Sequence, residues 1–281
     1  MNVKQALILS VSLVALVAVP AQAEEFADKI PDRLWIDIGG SAHELSTNVA
    51  ITGQSGLGAA VDFEDVFDIP GSKSTFQLQG TVRISEQRRW IDFGYVKLDR
   101  SGGRSLQQDV QWGDYFFATG AVVDAELNTE FIYTAFRYDF LHEEKVRLSG
   151  SAGASWTDMG TTLSGTATFD DGSGPVTDFY DVSESIAVPV PLIGFNIDWA
   201  IAKGLVLRSY NRFFRIKVSD IDGGMYESGV HLNWYFIRNF GLGLGYDRIQ
   251  VKINEYETSE GSKGKFNYTV GGIGLYATLA F

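Results

Sequence analysis

The chain has 281 residues, 45% hydrophobic and 21% charged, with 31 Gly, 13% aromatics, no Cys and a formal charge of -12. These values exclude a disulfide-stapled miniprotein, a thiolate metal centre, a collagen-like repeat and a disordered acidic tail. A mean hydropathy of -0.01 excludes a bundle of transmembrane helices, which needs several apolar runs of about 20 residues, and the acidic balance argues against nucleic acid as a partner.

Residues 1–5 carry one Lys, residues 6–19 carry no charge, and Ala21-Gln22-Ala23 supplies a small-x-small cleavage site. Residues 1–23 are therefore expected to be a cleaved secretory signal peptide, the run being short for a membrane anchor. Residues 24–32 are expected to form a short periplasmic segment and residues 33–281 a barrel.

From residue 24 onward no helical apolar stripe is sustained, and alternation of period two recurs to the last residue. Ten segments carry it, near residues 33–45, 73–84, 89–101, 121–140, 145–168, 176–201, 205–218, 225–236, 241–253 and 265–281. In the second, Phe76, Leu78, Val82 and Ile84 oppose Thr75, Gln77, Gln79, Thr81 and Arg83. In the sixth, Ile193, Phe195, Ile197 and Trp199 oppose Asn196 and Asp198. Two segments change phase: Val123 to Tyr133 and Phe136 to Phe140 differ in parity, as do Leu242 to Tyr246 and Ile249 to Ile253. A bulge or a strand leaving the bilayer accounts for such a change. Tight connections at 85–88, 141–144, 202–204 and 237–240 alternate with long ones at 46–72, 102–120 and 254–264. The fold class expected is all-β: a transmembrane antiparallel up-and-down barrel of about ten strands, with short periplasmic turns and long extracellular loops.

A soluble secreted β-sandwich also alternates, and the aromatics separate the two. Trp35, Trp90, Phe136, Tyr138, Phe140, Trp199, Trp234, Phe236 and Phe240 lie beside the tight turns, as in an interfacial girdle. Asp37, Arg83, Asp92, Arg147, Asp198, Arg208, Arg212, Glu227, His231 and Asp247 are expected in the lumen, either paired across the bore or lining a narrow polar conduit. Ile273, Leu275, Ala277, Leu279 and Phe281 alternate to a terminal aromatic, resembling the strand by which the outer-membrane assembly machinery recognises its barrels. Asp62-Phe-Glu64-Asp65-Val-Phe-Asp68, Leu98-Asp-Arg100-Ser-Gly102, Trp112-Gly-Asp114, Pro189-Val-Pro191-Leu-Ile-Gly194 and Gly241-Leu-Gly-Leu-Gly-Tyr246 resemble an uncharacterised family of bacterial outer-membrane barrels. The resemblance runs over most of the mature chain. It implies fold and location and carries no catalytic residues.

Enzyme signatures are sparse. No G-x-S-x-G elbow occurs, and Gly272-x-Gly274-x-x-Ala277 lacks the helix of a dinucleotide site. His43 with Glu44 and Asp62, or His231 alone, are the candidates for a barrel-embedded protease or lipase, the alternative to a non-enzymatic barrel that binds or passes a small solute. Asp62, Glu64, Asp65 and Asp68 form either a cation-binding loop or a solvated acidic loop. No cofactor and no intrinsic metal are expected. The expected partners are outer-membrane lipids, lipopolysaccharide and the assembly machinery, around a monomer.

Overall fold

The computed structural model describes residues 30–52, 59–85, 88–170, 174–218, 221–237, 239–257 and 263–281. The expected signal peptide, residues 1–23, and most of the expected periplasmic segment, residues 24–32, lie outside them. In chain order the elements are β1 (Leu34–Thr52), β2 (Ala60–Asp62), the short helix α1 (Phe63–Phe67), β3 (Ser72–Ser85), β4 (Arg89–Ser105), β5 (Val110–Trp112), β6 (Tyr115–Phe117) and β7 (Val122–His142). Then come β8 (Val146–Phe169), β9 (Val176–Ala202), β10 (Leu205–Val218), β11 (Ile221–Ile237), β12 (Phe240–Glu257) and β13 (Lys263–Ala280).

Leaving aside the short β2, β5 and β6, ten strands pair antiparallel in chain order, and β1 pairs β13 from Trp35↔Ala280 to Thr52↔Lys263. The ladder therefore closes on itself, which is the way a sheet satisfies its backbone in hydrocarbon. One closed sheet, rather than two stacked ones, rules out the sandwich. The tight turns collect at one end, where Phe281 and Leu34 also exchange backbone hydrogen bonds at 2.9 and 3.1 Å. In the β9–β10 turn, Gly204 has φ +69°, and a Cβ there would meet the Tyr235 carbonyl oxygen at 2.5 Å, so this turn requires glycine.

The two phase changes are not bulges. β7 keeps odd residues inward from Val123 to Asp139, and β12 does so from Gly241 to Val251. What inverts is the chemistry of the two faces. Near the tight turns the outer face is apolar, with Ile193 and Phe213 each 59% exposed, and the lumen is polar. Further along, the outer face carries Glu44, Lys97, Asp99, Asp158 and Arg248, and the inner face becomes apolar. The strands have 14 to 27 residues where about 9–11 cross a membrane, so the barrel continues into water and turns its oil inward.

Two of the long connections carry structure of their own over their described residues. β1 runs to Thr52, and the chain then returns through β2, which pairs β1 from Asn48↔Asp62 to Ala50↔Ala60, and through α1. The β4–β7 connection carries the β5–β6 hairpin, which pairs β8 at Tyr115↔Phe169. At its base Asp109 accepts hydrogen bonds from the Thr119 hydroxyl and N–H, which hold its carboxyl below the ordinary range. Phe63, Phe67, Trp112 and Phe117 from these segments are buried in the barrel mouth.

Trp35 and Trp90 correct the girdle. They share parity with Asp37 and Asp92, so the pleat sends them into the lumen, where they are 9% and 2% exposed. Phe136, Tyr138, Phe140, Trp199 and Trp234 do face outward and are exposed, while Phe236 and Phe240 are half-buried.

Candidate functional site: a lumen sealed in tiers

Inward positions of all ten long strands converge on the bore, and their residue types divide it into tiers. The floor lies at the tight-turn end. There Ile30, Trp35, Ala200, Val206, Tyr235 and Ala280 form one apolar cluster. Arg147 lies over the Trp90 ring, 5.2 Å from its centroid, and donates to the Pro31 carbonyl at 2.8 Å and to Asp32 at 3.0 Å. Arg83 donates to the same Asp32 at 2.7 Å. The lead-in residues 30–32 are thereby tied across the opening.

Above the floor is a charged tier. Arg137 donates to Asp198 and, at 2.8 Å, to Ser149. Asp139 accepts from the Trp90 indole at 2.8 Å and from Ser149 at 2.6 Å, with His142 at 2.7 Å. Arg208 stacks over Trp35 at 4.2 Å and lies 4.0 Å from Asp198. Arg212 is held between the rings of Tyr133 and Tyr210, donates to Glu227 at 3.3 Å and lies 3.9 Å from Asp92. Thr81 donates to Asp92 at 2.6 Å.

Asp247 is the hub of the next tier. It accepts from Tyr210 at 2.7 Å, from Gln77 and Tyr276 at 3.2 Å each, and from His231 Nε2 at 2.7 Å. The Gln79 amide nitrogen lies 3.0 Å from His231 Nδ1 on the other side of the ring. Asn233 donates to Asp37 at 3.0 Å. β12 contributes Gly245 beside this histidine, where a Cβ would lie 2.5 Å from the ring, so the fit leaves no side-chain volume to spare. Ser41 and His43 form a buried 2.6 Å pair above it.

The last tier is the plug. Leu45, Val96, Phe131, Leu192, Met225, Val251 and Val270 close the bore with oil, and α1 sits above them. Arg100 donates to Glu64, to the Thr47 hydroxyl and to the Pro70 carbonyl, and Glu64 also accepts from the Thr47 N–H at 2.9 Å. These bonds clamp the helix to β1 and β4. Phe63 and Trp112 meet edge-on with centroids 5.5 Å apart, locking α1 to the β5–β6 hairpin.

The structure thus brings Asp37, Asp92, Arg147, Asp198, Arg208, Arg212, Glu227, His231 and Asp247 into one buried network, with Arg83 at its rim. It corrects two other groupings. His43 points into the lumen, Glu44 points outward and Asp62 caps α1, so these three do not surround a common water. Asp62, Glu64, Asp65 and Asp68 are not a ligand set: Asp62 accepts from the Asp65 N–H, Glu64 is paired with Arg100, and Asp68 ends the helix in a left-handed conformation. Among the described residues no group of three or more His, Cys, Asp or Glu is arranged to hold a metal. Ile273, Leu275, Ala277, Leu279 and Phe281 lie on the outer face.

Sequence reasoning missed Arg137, Asp139 and the Arg100–Glu64 clamp. Arg137 and Asp139 alternate with the girdle residues Phe136, Tyr138 and Phe140, and that alternation marks them as inward.

Trp35, Asp92, Tyr133, Arg208, Arg212 and His231 line a small polar void of about 30 Å³ in this network, room for water. Among solved structures, the outer membrane protease OmpT of Escherichia coli superposes with a TM-score of 0.55 at 11% identity, covering 92% of this chain and 99% of that one. The fold is that of an outer-membrane barrel. Ail of Yersinia pestis aligns over 88% of this chain and 99% of its own at 10% identity and a TM-score of 0.34. The toluene transporter TbuX of Ralstonia pickettii aligns over 90% of each chain at 8% identity and a TM-score of 0.36. No family model matches the chain, and no curated protein matches it.

Proposed function

We propose that this protein is a non-enzymatic, non-conducting barrel of the bacterial outer membrane, a monomer exported by a cleaved signal peptide, whose lumen is a rigid strut and whose mouth carries the activity. The observation that carries this reading is the double seal, in which a crossed ionic tier lies beneath an apolar plug of inward strand side chains capped by α1 and the β5–β6 hairpin from the chain's own long connections. A rigid closed scaffold bearing an elaborated mouth suits recognition at the surface better than passage. Refolded protein in planar bilayers is expected to show no steady conductance at any polarity. Stable channel openings would overturn the reading.

Outer-membrane lipids would cover the apolar belt, with lipopolysaccharide at its upper border, where Arg248 and Lys97 follow Tyr246 and Tyr95 on the outer face. The outward row from Ile273 to Phe281 would serve as the assembly signal. Phe281→Asp is expected to lower the amount reaching the outer membrane several-fold while leaving refolding in detergent unchanged, because the side chain lies outside the lumen. Equal loss in both assays would make Phe281 a stability residue instead.

A further inference from the structure

We propose that the upper edge of β9 is a strand-addition site for an extended, basic segment of a partner polypeptide, which rests on the reading that the mouth faces the cell exterior. β9 has 27 residues and β10 has 14. Their ladder stops at Ile193↔Phe213, whereas β8 follows β9 all the way to Phe169↔Val176. Over residues 176–192, β9 has no described ladder partner on its β10 side.

The sequence explains where the ladder ends and which groups it leaves. Pro189 and Pro191 have no N–H to donate, so β10 has nothing to follow beyond Ile193. Pairing with β8 continues through both prolines without a register shift, so their nitrogens face away from β8. Two-residue alternation then aims the backbone groups of Thr177, Phe179, Asp181, Ser183, Ser185 and Ala187 the same way. Two contacts agree. The carbonyl of Glu184, of opposite parity, accepts from Thr161 on β8 at 3.4 Å, and the Phe179 N–H donates to the side chain of Asp178 at 2.8 Å instead of to a strand.

Proteins usually guard such an edge with charged side chains, Lys above all, with Pro or with a bulge. Residues 176–187 carry no Lys, Pro or bulge, their charges are all carboxylates, and Val176 and Phe179 are 56% and 61% exposed. The chemistry of the occupant follows from charge. Residues 148–202 contain no Lys or Arg, while Asp178 and Asp181 are exposed on the edge strand and Asp158 shares the outward face with Asp181 on the neighbouring strand. An added strand would set Lys or Arg on the outward face, beside Asp181 and on the side of Asp158, and apolar residues on the inward face against Tyr180, Val182 and Ile186, of which Val182 belongs to the plug cluster and the other two pack against it. A second copy of the chain fits poorly. Two barrels standing the same way in one membrane present β9 edges that run in the same direction and carry the same negative charge.

The test uses full-length protein refolded in detergent and a labelled ten-residue peptide of alternating Lys and Val, followed by fluorescence anisotropy. Saturable binding is expected, and the double variant Ser183→Pro/Ser185→Pro, which removes two outward donors and leaves the β8 ladder intact, should weaken it about tenfold. Asp181→Lys should weaken the Lys peptide and strengthen a Glu/Val peptide. Folding of each variant is checked by its unheated gel mobility. Absence of saturable binding, equal affinity of the folded double variant, equal affinity for the Glu/Val peptide, or dimers that the double variant abolishes would each overturn the proposal. A barrel silent in bilayers that binds no peptide would lose this site and keep the sealed-barrel reading.

Discussion

Arg137→Ala is expected to destabilise the folded barrel by about 3–5 kcal/mol, the usual consequence of stripping one partner from a buried ion pair. The Arg137 and Asp198 side chains are 6% and 5% exposed, so the carboxylate left behind has little water to turn to. Asp139 keeps its bonds from Trp90 and Ser149 and contributes less to the loss. The nearest remaining cation of Asp198 is Arg208 at 4.0 Å, which does not replace the lost hydrogen bond. Removing both charges with Arg137→Met and Asp198→Leu should recover most of the stability, because the pair repays its own desolvation at best. Equilibrium unfolding in guanidinium, read by tryptophan emission from protein in lipid vesicles, measures both variants. A loss under about 1 kcal/mol for Arg137→Ala would mean that water reaches the pair, as in an open lumen.

The second large effect is expected at Gly102. A Cβ there would lie 2.7–2.8 Å from backbone atoms of Phe67, Asp68 and Ile69, where the chain leaving α1 presses against the inside of β4. Backbone yields less readily than a side-chain tip, so Gly102→Val should push α1 and the chain leaving it off the wall at a cost of about 1–3 kcal/mol. The Arg100–Glu64 clamp is one turn of strand away and would be strained with it. Limited proteolysis should then cut within residues 59–71, where wild type resists. Bilayers should nevertheless stay silent, because the ionic tier below is untouched. Conductance from this single substitution would show that the plug alone closes the barrel.

Most of the architecture was legible because one face of each strand meets lipid and the other does not. That contrast writes the period of two into the sequence and locates the tight turns. It failed where both faces were assumed to keep one chemistry. The apparent phase changes in β7 and β12 mark the height at which hydrocarbon outside gives way to water, so Leu127 and Phe131 point inward although Phe136 and Phe140 point outward. For Trp35 and Trp90 nearness to a turn points outward, whereas their parity with Asp37 and Asp92 points inward, and parity decides.

Alternation identifies which residues face the bore but not which ones meet. Partners such as Gln77 and Asp247 come from strands 170 residues apart, and their meeting depends on the register of barrel closure. The acidic stretch beginning at Asp62 carries a helix signal: an N-cap Asp followed by Phe63, Val66 and Phe67 at helical spacing describes a short buried helix better than a cation loop.

Because the chain has no cysteine, single nitroxide labels can be placed without background. Collision rates with oxygen and with a water-soluble nickel chelate at Ile193→Cys, Leu244→Cys and Arg248→Cys in reconstituted vesicles test the lipid-covered belt directly. Labels at the first two positions should collide with oxygen and not with the chelate, and the third should meet the chelate. Ready access of the chelate at Ile193 and Leu244, or exclusion of both reagents there, would contradict the account.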